Sequence, residues 1–351
     1  MENLEKERKK IDAIDAKVVS LLDERAKAAK EIGKKKSEAG KTEVIQTSRE
    51  REVIRKVSSR AKLLPKGDVA SIYTQIISAC RGLQKKVRVG YLGPEGTYSH
   101  IAALSYFGQN TELISHRTIS SAFASFEEGE VSLIIVPVEN SSGGSVGETL
   151  DNLYRANGYI VGELVLPIRH CLLAKKGVAH SRVKTIIAHP NALLQCSKFI
   201  ERNKFLTQDC ASTASACRKL DRQSASIGSE LAAELFSLEV LKRNIGDYED
   251  NTTRFIIVGR SPCQKTGKDK TSLLFTLPHK PGTLYQTLGV FAKEKINLLK
   301  VESRPYKGRK WEYLFFVDFE GHECEPKVER VLKKIRRISE SLRVLGSYPA
   351  E

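Results

Sequence analysis

The sequence predicts a multidomain protein with an all-α N-terminal domain, a central α/β domain of two lobes and a C-terminal α+β domain. Three observations predict this order. Residues 1–86 repeat apolar side chains at helical spacing, residues 87–262 alternate short apolar strands with helices, and residues 270–351 show the order βαββαβ. A chain of 351 residues is long enough for two or three domains with separate hydrophobic cores.

The composition is that of an ordinary globular protein, with 40% hydrophobic and 28% charged residues. No stretch approaches the roughly 20 apolar residues of a membrane span, and the N-terminus lacks the apolar core of a signal peptide. The seven cysteines are odd in number and form no CxxC pair, which argues against a disulfide framework or a zinc site. The sequence therefore predicts a cytoplasmic protein that contacts no membrane.

The net charge of +16 is unevenly placed along the chain. Residues 1–86 hold 22 Lys and Arg against 13 Asp and Glu, residues 87–262 hold 18 against 18, and residues 263–351 hold 18 against 11. A nucleic-acid binder is expected to interleave its basic residues with aromatics, but the basic N-terminal part has a single aromatic residue, Tyr73. The charge favours small dianions over nucleic acid.

The N-terminal domain is predicted to contain three helices. The first runs to about Lys36, and Gly40 loosens the connection that follows. The second begins near Thr47, where Thr47 and Glu50 match a capping box. The third follows Asp68.

Cations interrupt the apolar face of the first helix, which recurs in steps of three and four: Ile11, Ile14, Val18, Leu21, Arg25, Ala28, Ile32 and Lys36. Burying an unpaired cation costs several kcal/mol, so Arg8, Arg25 and Lys36 require anionic partners. Arg8 and Lys36 could instead extend into solvent at the helix ends, whereas Arg25 lies mid-face. Arg8 and Arg25 are about 25 Å apart along the helix. One small ligand contacts both only if a second copy runs antiparallel, which predicts a homodimer.

The central domain is predicted to alternate strands with helices in parallel sheets. Its predicted strands cover residues 87–92, 133–138, 185–188 and 225–227. The helices that follow them begin near residue 97 or cover residues 146–156, 192–200 and 229–235. A strand pair near residues 160–173 divides the domain into two lobes.

Five polar segments of the central domain follow strands or begin helices: residues 93–99, 137–144, 189–195, 212–213 and 251–255. Each alone could be only an N-cap or a turn. Together they indicate one anion-binding crevice.

Residues 261–270 are polar and rich in helix-breaking residues, which predicts a linker. The elements predicted beyond it are strands at residues 271–277, 298–303 and 311–319, helices at 283–294 and 327–341, and a short final strand. This order is the ferredoxin-like arrangement.

Residues 1–86 resemble the all-helical chorismate mutases at six polar positions: Arg8, Arg25, Lys36, Arg49, Glu50 and Gln84. That family forms an intertwined dimer with two sites, and each site draws one arginine from the partner. The resemblance implies that Arg25 and the partner's Arg8 hold the carboxylates of chorismate, with Arg49 nearby.

The same resemblance implies that Lys36 and Gln84 face the ether oxygen of chorismate and that Glu50 faces its ring hydroxyl. A pericyclic rearrangement of this kind needs a compact substrate conformer and fixed donors at the breaking C–O bond. Two positions depart from the family pattern, since Gln46 stands where an aspartate is frequent and Cys80 where some members have serine.

Residues 87–262 resemble prephenate dehydratase, most specifically in Thr253-Arg254-Phe255 and Glu139-Asn140. The resemblance implies two α/β lobes, like a type 2 periplasmic binding protein, with prephenate between them. Thr253 would donate to the departing hydroxide, beside Asn140. Glu139 could be either a proton source or an orienting residue. The implied substrate-binding residues are Ser99, Ser141, Gln195, Thr213, Arg254 and Phe255. His189 is interpreted as structural, and no metal or cofactor is implied.

The C-terminal segments Pro281-Gly282-Thr283-Leu284 and Glu302-Ser303-Arg304-Pro305 resemble the regulatory ACT domain. Such domains pair side by side and bind phenylalanine at the shared interface. Tyr285 is bulkier than the residue of many relatives, which leaves the strict choice of phenylalanine open. The implied effector-binding residues are Gly282, Thr283, Leu284, Asn297, Leu298, Glu302, Ser303 and Arg304.

These resemblances imply a bifunctional enzyme of phenylalanine biosynthesis. It would convert chorismate to prephenate and then prephenate to phenylpyruvate, under feedback inhibition by phenylalanine. The homodimer could pair further into a homotetramer. The alternative is a non-catalytic amino-acid sensor whose mutase-like part serves only for dimerisation. A sensor is expected to have lost charged site residues, yet Arg8, Arg25, Lys36 and Glu50 are all present.

Overall fold

The computed structural model describes residues 2–39, 45–84, 86–306 and 312–350. The chain falls into two compact units, Met1–Arg88 with Leu104–Glu112 and Val89–Ala103 with Leu113–Glu351. The predicted connection at Gly40 and the predicted strand start at Trp311 lie outside the described residues.

The first unit contains the three predicted helices, α1 (Glu2–Glu38), α2 (Thr47–Ser58) and α3 (Lys66–Gly82). Helix α3 packs against both α1 and α2. The predicted start of α2 is confirmed, but the predicted capping box is wrong. Gln46 is the N-cap, it makes no side-chain capping bond, and Thr47 is already the first helical residue. Glu50 is therefore not needed to cap the helix.

The predicted apolar face of α1 is not covered within one chain. Ile11 and Ile14 are each 57% exposed and Leu21 is 62% exposed. A long helix with this much apolar surface in water is typical of a helix that packs against another protein surface.

Residues 104–112 belong with the first unit because α3 satisfies their backbone groups. The Arg81 guanidinium donates to the Phe107 carbonyl at 2.8 Å, and the Ser78 hydroxyl accepts from the Asn110 amide at 3.2 Å. The expected boundary after residue 86 did not include this segment.

The second unit begins with an α/β lobe whose elements are β1 (Arg88–Leu92), α4 (Tyr98–Phe107), β2 (Glu112–His116), α5 (Ile119–Glu127), β3 (Leu133–Asn140), β4 (Gly144–Ser145), α6 (Gly147–Arg155) and β5 (Tyr159–Pro167). A second lobe follows with β6 (Cys171–Lys175), β7 (Thr185–Ala188), α7 (Pro190–Gln195), α8 (Ser197–Asn203), β8 (Leu206–Asp209), α9 (Thr213–Arg218), β9 (Ser224–Gly228), α10 (Glu230–Leu235) and β10 (Leu238–Lys242). The chain then returns to the first lobe in β11 (Thr252–Gly259).

Each lobe has its own sheet, with strand orders β2-β1-β3-β11-β5 and β10-β6-β9-β7-β8. The predicted division into two lobes is confirmed. The predicted parallel pairing is confirmed for β1 with β3 and for β7 with β8 and β9, but neither sheet is parallel throughout. β11 is antiparallel to both β3 and β5, and β6 is antiparallel to β9 and β10, because the chain enters and leaves the second lobe through these strands. The helix predicted over residues 192–200 is interrupted at Cys196.

The C-terminal domain contains β12 (Asp269–Thr276), α11 (Thr283–Lys293), β13 (Leu298–Pro305), β14 (Tyr313–Glu320), α12 (Pro326–Ile338) and β15 (Ser341–Pro349). The predicted βαββαβ order is confirmed, and the antiparallel sheet has the order β13-β14-β12-β15. Leu273 and Phe275 face the two helices, whereas Leu274 and Tyr348 join the core of the first lobe. The sheet is thus buried on both faces, and β13 is an edge strand.

Candidate functional site

Helices α1, α2 and α3 enclose a cavity of about 420 Å³. We call it the helical cavity. Its polar lining comes from all three helices and from the residues next to them: Arg25, Lys36, Gln46, Arg49, Glu50, Arg81 and Gln84. Five of the six predicted positions are therefore brought together, although they are up to 59 residues apart in sequence. Four cations and one carboxylate leave the cavity with an excess of three positive charges, which suits a small dianion.

Glu50 is the one carboxylate in this lining. Burial raises the pKa of its carboxyl above the usual value of 4.5, while the positive charges of Arg81 and Lys36 act in the opposite direction. The Nε of Arg81 lies 3.8 Å from Glu50 Oε1. Arg49 lines the cavity but also forms an ion pair with Glu52 at 2.8 Å.

Arg8 is the predicted position that does not reach the helical cavity. It is exposed on α1, about five turns before Arg25. The lining of the cavity in one chain therefore lacks one of the predicted arginines.

A second cluster lies where β3 and β11 end, and Asn140 is its centre. The Asn140 amide nitrogen donates to Thr253 Oγ1 at 2.9 Å and to Asn251 Oδ1 at 2.8 Å. Its amide oxygen accepts from the Ser142 hydroxyl at 2.7 Å and from the Gly143 amide at 2.8 Å. We call this cluster the lobe site, because a hydrogen-bonded chain runs from it to the second lobe.

That chain passes through Ser142 and Gln195 to His170. The Gln195 amide nitrogen donates to Ser142 Oγ at 3.3 Å, and Gln195 Oε1 lies 2.8 Å from His170 Nε2. The Tyr98 hydroxyl lies 3.4 Å from His170 Nδ1. Burial lowers the pKa of His170, which keeps the imidazole neutral near pH 7. A neutral ring that donates from Nε2 fixes the Gln195 amide with its nitrogen toward Ser142.

Three other predicted residues lie at the start of a helix or beside β11. Ser99 is buried at the start of α4, next to Tyr98. Thr213 begins α9 after the N-cap Ser212. Ser141 binds the backbone of β11, since its hydroxyl accepts from the Thr252 amide at 3.0 Å.

Arg254 corrects the sequence prediction. Thr253 is paired with Asn140 and Arg254 with Glu139, so the two neighbours on β11 point to opposite faces of the sheet. The Arg254 guanidinium binds Asp318 at 2.6 Å and Glu163 at 2.8 Å. It is therefore engaged at the C-terminal domain and does not lie in the lobe site as a carboxylate anchor.

Glu139 and Phe255 also differ from their predicted places. The Glu139 carboxylate lies 3.3 Å from Lys300 Nζ and 3.8 Å from Arg254, on the face away from Thr253. Of the two roles left open for Glu139, this position favours the orienting one. Phe255 is only 1% exposed, so its ring packs in the interior and is not offered to a ligand.

The predicted effector residues divide between two faces of β13. Of these residues, Glu302 and Arg304 point toward the first lobe, as does Lys300, which was not predicted. There Glu302 binds Ser145, and Arg304 binds Asp151 at 3.3 Å. Ser303 lies on the opposite, exposed face.

The other predicted effector residues lie around the start of α11 and the start of β13. Gly282 is the N-cap of α11 with φ +84, a backbone conformation that glycine adopts without strain. The Thr283 hydroxyl donates to the Pro278 carbonyl at 3.1 Å, and Asn297 donates to Glu320 at 3.3 Å. Leu284 and Leu298 pack against the core beneath the helices.

Three family models match consecutive parts of the chain. They describe chorismate mutase type II at residues 7–85, prephenate dehydratase at residues 89–263 and the ACT domain at residues 271–337. A curated "Bifunctional chorismate mutase/prephenate dehydratase" of Aquifex aeolicus is 42% identical and covers 99% of this chain and 98% of that protein. The chain belongs to this family. It is an enzyme with chorismate mutase and prephenate dehydratase domains.

Two solved structures resemble about three quarters of this bifunctional enzyme. A prephenate dehydratase from Arthrobacter aurescens in complex with L-Phe is 34% identical with a TM-score of 0.70, covering 75% of this chain and 90% of that chain. A protein described as a quorum-quenching acylase, GqqA, is 31% identical with a TM-score of 0.69, covering 75% and 98%.

Several polar residues of the two sites were not predicted from the sequence. Arg81 stands four residues after Ile77 and three before Gln84, so helical spacing could have placed it on the cavity face of α3. Ser142 and Asn251 lie within the polar segments predicted to form a crevice, although neither was singled out, whereas His170 lies in a loop outside those segments. Residues of this kind are found only when the fold brings them together.

No group of three or more His, Cys, Asp and Glu side chains among the described residues could hold a metal ion. None of the described helices is long and apolar enough to cross a membrane.

Proposed function

We propose that the two sites act in sequence in phenylalanine biosynthesis. The helical cavity rearranges chorismate to prephenate, and the lobe site converts prephenate to phenylpyruvate. The observation that carries this proposal is the convergence of Arg25, Lys36, Glu50 and Gln84 on one cavity of the first unit. The second unit has its own site around Thr253 and Asn140.

In the helical cavity the enzyme acts by holding the substrate and by electrostatics. The excess positive charge binds the two carboxylates of chorismate and favours the compact conformer, in which the reacting carbons are close. Lys36 and Gln84 donate to the ether oxygen, where negative charge develops as the C–O bond breaks. A donor that interacts more strongly with the transition state than with the substrate raises the rate.

A second copy of the chain completes this cavity. The exposed face of α1 supplies a long apolar surface for an antiparallel partner helix. In this arrangement the partner's Arg8 lies in the cavity lined by this chain's Arg25. Within one chain, Arg8 and Arg25 are about 25 Å apart along α1. The protein is therefore proposed to be a homodimer.

In the lobe site, prephenate loses its ring carboxylate as CO₂ and its ring hydroxyl as water. The electrons of the breaking C–C bond enter the ring as the C–O bond breaks, and the ring becomes aromatic. Hydroxide is a poor leaving group, so a hydrogen-bond donor beside it lowers the barrier, and the hydroxide takes up a proton from solvent to leave as water. The Asn140 amide already donates to Thr253 Oγ1, which leaves the threonine proton free to point at the departing oxygen.

Substrate carboxylates in the lobe site are proposed to bind Gln195, Ser99 and Thr213 together with the backbone amides at the ends of the helices. Gln195 presents its amide nitrogen because His170 holds the amide oxygen. Arg254 is excluded from this set by its contacts with Asp318 and Glu163.

The ACT domain is proposed to lower the dehydratase activity when phenylalanine binds. The exposed side of the edge strand β13, with Val301 at 46% and Leu299 at 45% exposed, suits pairing with a second ACT domain. Gly282 and Thr283 lie at the start of α11 and Asn297 lies just before β13, and the relative from Arthrobacter aurescens was solved with L-Phe. All seven cysteines are free thiols, which supports a reducing compartment such as the cytoplasm.

One experiment tests the whole sequence of reactions. The enzyme is supplied with chorismate, and prephenate and phenylpyruvate are measured separately, with and without phenylalanine. We expect both products, and less phenylpyruvate when phenylalanine is present. The Thr253→Ala variant should accumulate prephenate and lose about 10²-fold or more of its phenylpyruvate formation, while Thr253→Ser keeps a hydroxyl and part of the rate.

The outcomes separate the candidate functions. If neither product forms although phenylalanine binds, the chain is a sensor and not an enzyme. If Thr253→Ala loses prephenate formation as well as phenylpyruvate formation, the substitution has unfolded the protein, and Thr253→Ser decides whether the hydroxyl takes part.

A further inference from the structure

Arg81 is the most deeply buried cation of the helical cavity. Its side chain is 5% exposed, at a position where the other members of the α3 face, Ile77 and Cys80, are apolar. Its Nη2 donates to the Phe107 carbonyl at 2.8 Å, which fixes the plane of the guanidinium. The sequence resemblance gave this residue no role.

Two nitrogens of this guanidinium remain unsatisfied. Nε and Nη1 of Arg81 are buried and have no hydrogen-bond partner among the described residues. The nearest carboxylate oxygen, Glu50 Oε1, is 3.8 Å from Nε, which is an ion pair but too long for a hydrogen bond. Leaving buried charged donors unpaired is costly, and a native protein accepts the cost where a ligand supplies the acceptor.

Both unsatisfied nitrogens belong to a residue that lines the cavity, beside Glu50. Under the proposed function of this cavity, the Glu50 carboxylate accepts a hydrogen bond from the ring hydroxyl of chorismate. A hydroxyl that donates its proton to a carboxylate still has lone pairs to offer. A donor a few ångströms from that carboxylate therefore meets the same hydroxyl oxygen.

We propose that Arg81 is a further substrate-binding residue of the mutase site. Its Nε–H and Nη1–H donate to the ring hydroxyl oxygen, while the Glu50 carboxylate accepts a hydrogen bond from the same hydroxyl. The pair then recognises the hydroxyl from both sides. This proposal rests on the proposed function of the helical cavity. It distinguishes Arg81 from Arg25, which binds a carboxylate, and from Lys36, which faces the ether oxygen.

A purely electrostatic role is the alternative, in which Arg81 only keeps Glu50 ionised. The two roles differ in their dependence on the substrate. A contact with the hydroxyl disappears when the substrate lacks that group, whereas an effect on the charge of Glu50 or on the fold is present with any substrate. An analogue of chorismate with hydrogen in place of the ring hydroxyl makes this comparison.

The test measures mutase kcat/KM for Arg81→Met and Arg81→Lys with chorismate and with the deoxy analogue. Loss of a charge-assisted hydrogen bond to the hydroxyl should lower kcat/KM of Arg81→Met by about 10- to 100-fold with chorismate. With the analogue, the variant and the parent enzyme should agree within about threefold. Arg81→Lys should recover part of the loss, because it retains one donor. Arg55→Met, on the exposed face of α2, is the matched control and should change neither rate.

Equal losses with both substrates overturn the proposal and leave Arg81 a structural or electrostatic residue. Turnover of the deoxy analogue at the parent rate shows that the helical cavity of Arg81→Met has folded, and phenylpyruvate formed from added prephenate shows that the second unit has folded. Failure of the proposed function would give a different result, because the parent enzyme itself would then not turn over chorismate.

Discussion

Glu50 shows how burial and nearby charge compete at a single residue. Burial raises the pKa of its carboxyl above 4.5, and the surrounding cations offset only part of that rise. The raised pKa means that the folded state favours the protonated form. Glu50 therefore contributes stability that is present below its unfolded pKa and is lost as pH rises through the folded value.

The activity of Glu50 depends on pH in the opposite sense, because only the ionised carboxylate accepts from the ring hydroxyl. Mutase kcat/KM is expected to fall as pH drops through the raised pKa, at a higher pH than an ordinary glutamate would require. Glu50→Gln should be slower by about tenfold or more near neutral pH and should lack this acid limb. The pH profile of prephenate formation from chorismate measures both effects.

Glu52 provides the control for this prediction. Its hydrogen bonds to Lys56 and Arg49 lower the pKa of its carboxyl to about 2, outside the expected acid limb. Glu52→Gln should keep the profile of the parent enzyme. An acid limb that persists unchanged in Glu50→Gln would assign it to another group.

Residue identities in the helical cavity could be predicted from the sequence, but side-chain directions in the lobe site could not. Arg25, Lys36 and Glu50 lie on helices, where spacing fixes the face. Thr253 and Arg254 are neighbours on a strand, and the sequence does not say which face meets a ligand and which meets another domain. Arg254 was therefore assigned to the wrong side.

Among the helices and strands, α1 most clearly lacks a packing partner within one chain. It is 37 residues long, and its apolar residues remain largely exposed in one chain. An isologous dimer places the two copies of α1 antiparallel, so each cavity combines Arg25 of one chain with Arg8 of the other.

Mixing two inactive variants tests this sharing. Arg8→Ala and Arg25→Ala should each abolish mutase activity as homodimers, because each removes one carboxylate contact from both sites. A heterodimer carries both substitutions in one of its two sites, and its second site is intact. An equal mixture after subunit exchange should therefore recover about one quarter of the parent rate. A mixture that stays inactive, although exchange is shown by mass with one variant isotopically labelled, contradicts a shared site.

The direction of the strands was harder to predict from the sequence than the position of the helices. The alternation of short apolar strands and helices predicted the two lobes correctly, yet β11 lies antiparallel between β3 and β5. Strand direction depends on how the chain crosses between lobes, which no local pattern records. The sequence also did not predict the break at Cys196 between α7 and α8, because the apolar spacing continues across it.

In the whole second unit, the first lobe and the ACT domain are joined by a buried network of charges. Arg254 binds Glu163 and Asp318, and Lys270 also binds Glu163 at 2.8 Å. Buried charges are tolerated when each has an opposite partner. Removing Asp318 alone would leave Arg254 with one fewer partner at the centre of this network.

The same junction offers a route from the effector edge to the lobe site. On one face of β13, Ser303 and Val301 are exposed where a second ACT domain is proposed to pair. On the other face, Lys300 binds Glu139 at 3.3 Å and Ser145 at 2.7 Å. Glu139 directly precedes Asn140, the centre of the lobe site. We infer that a shift of β13 on phenylalanine binding would be passed through Lys300 and Glu139 to Asn140, which holds Thr253.

Lys300→Met should weaken this coupling, because it removes the cation that links the carboxylates of Glu139 and Glu302. The phenylalanine concentration that halves phenylpyruvate formation is expected to rise by about 2- to 30-fold, the range of substitutions along a coupled network. Without phenylalanine, turnover of prephenate should stay within about twofold of the parent, since Lys300 does not contact the lobe site. Lys333→Met, on the exposed face of α12, is the control. An inhibition curve that does not move with Lys300→Met, while phenylalanine binding is retained, would show that the signal reaches Asn140 by another path.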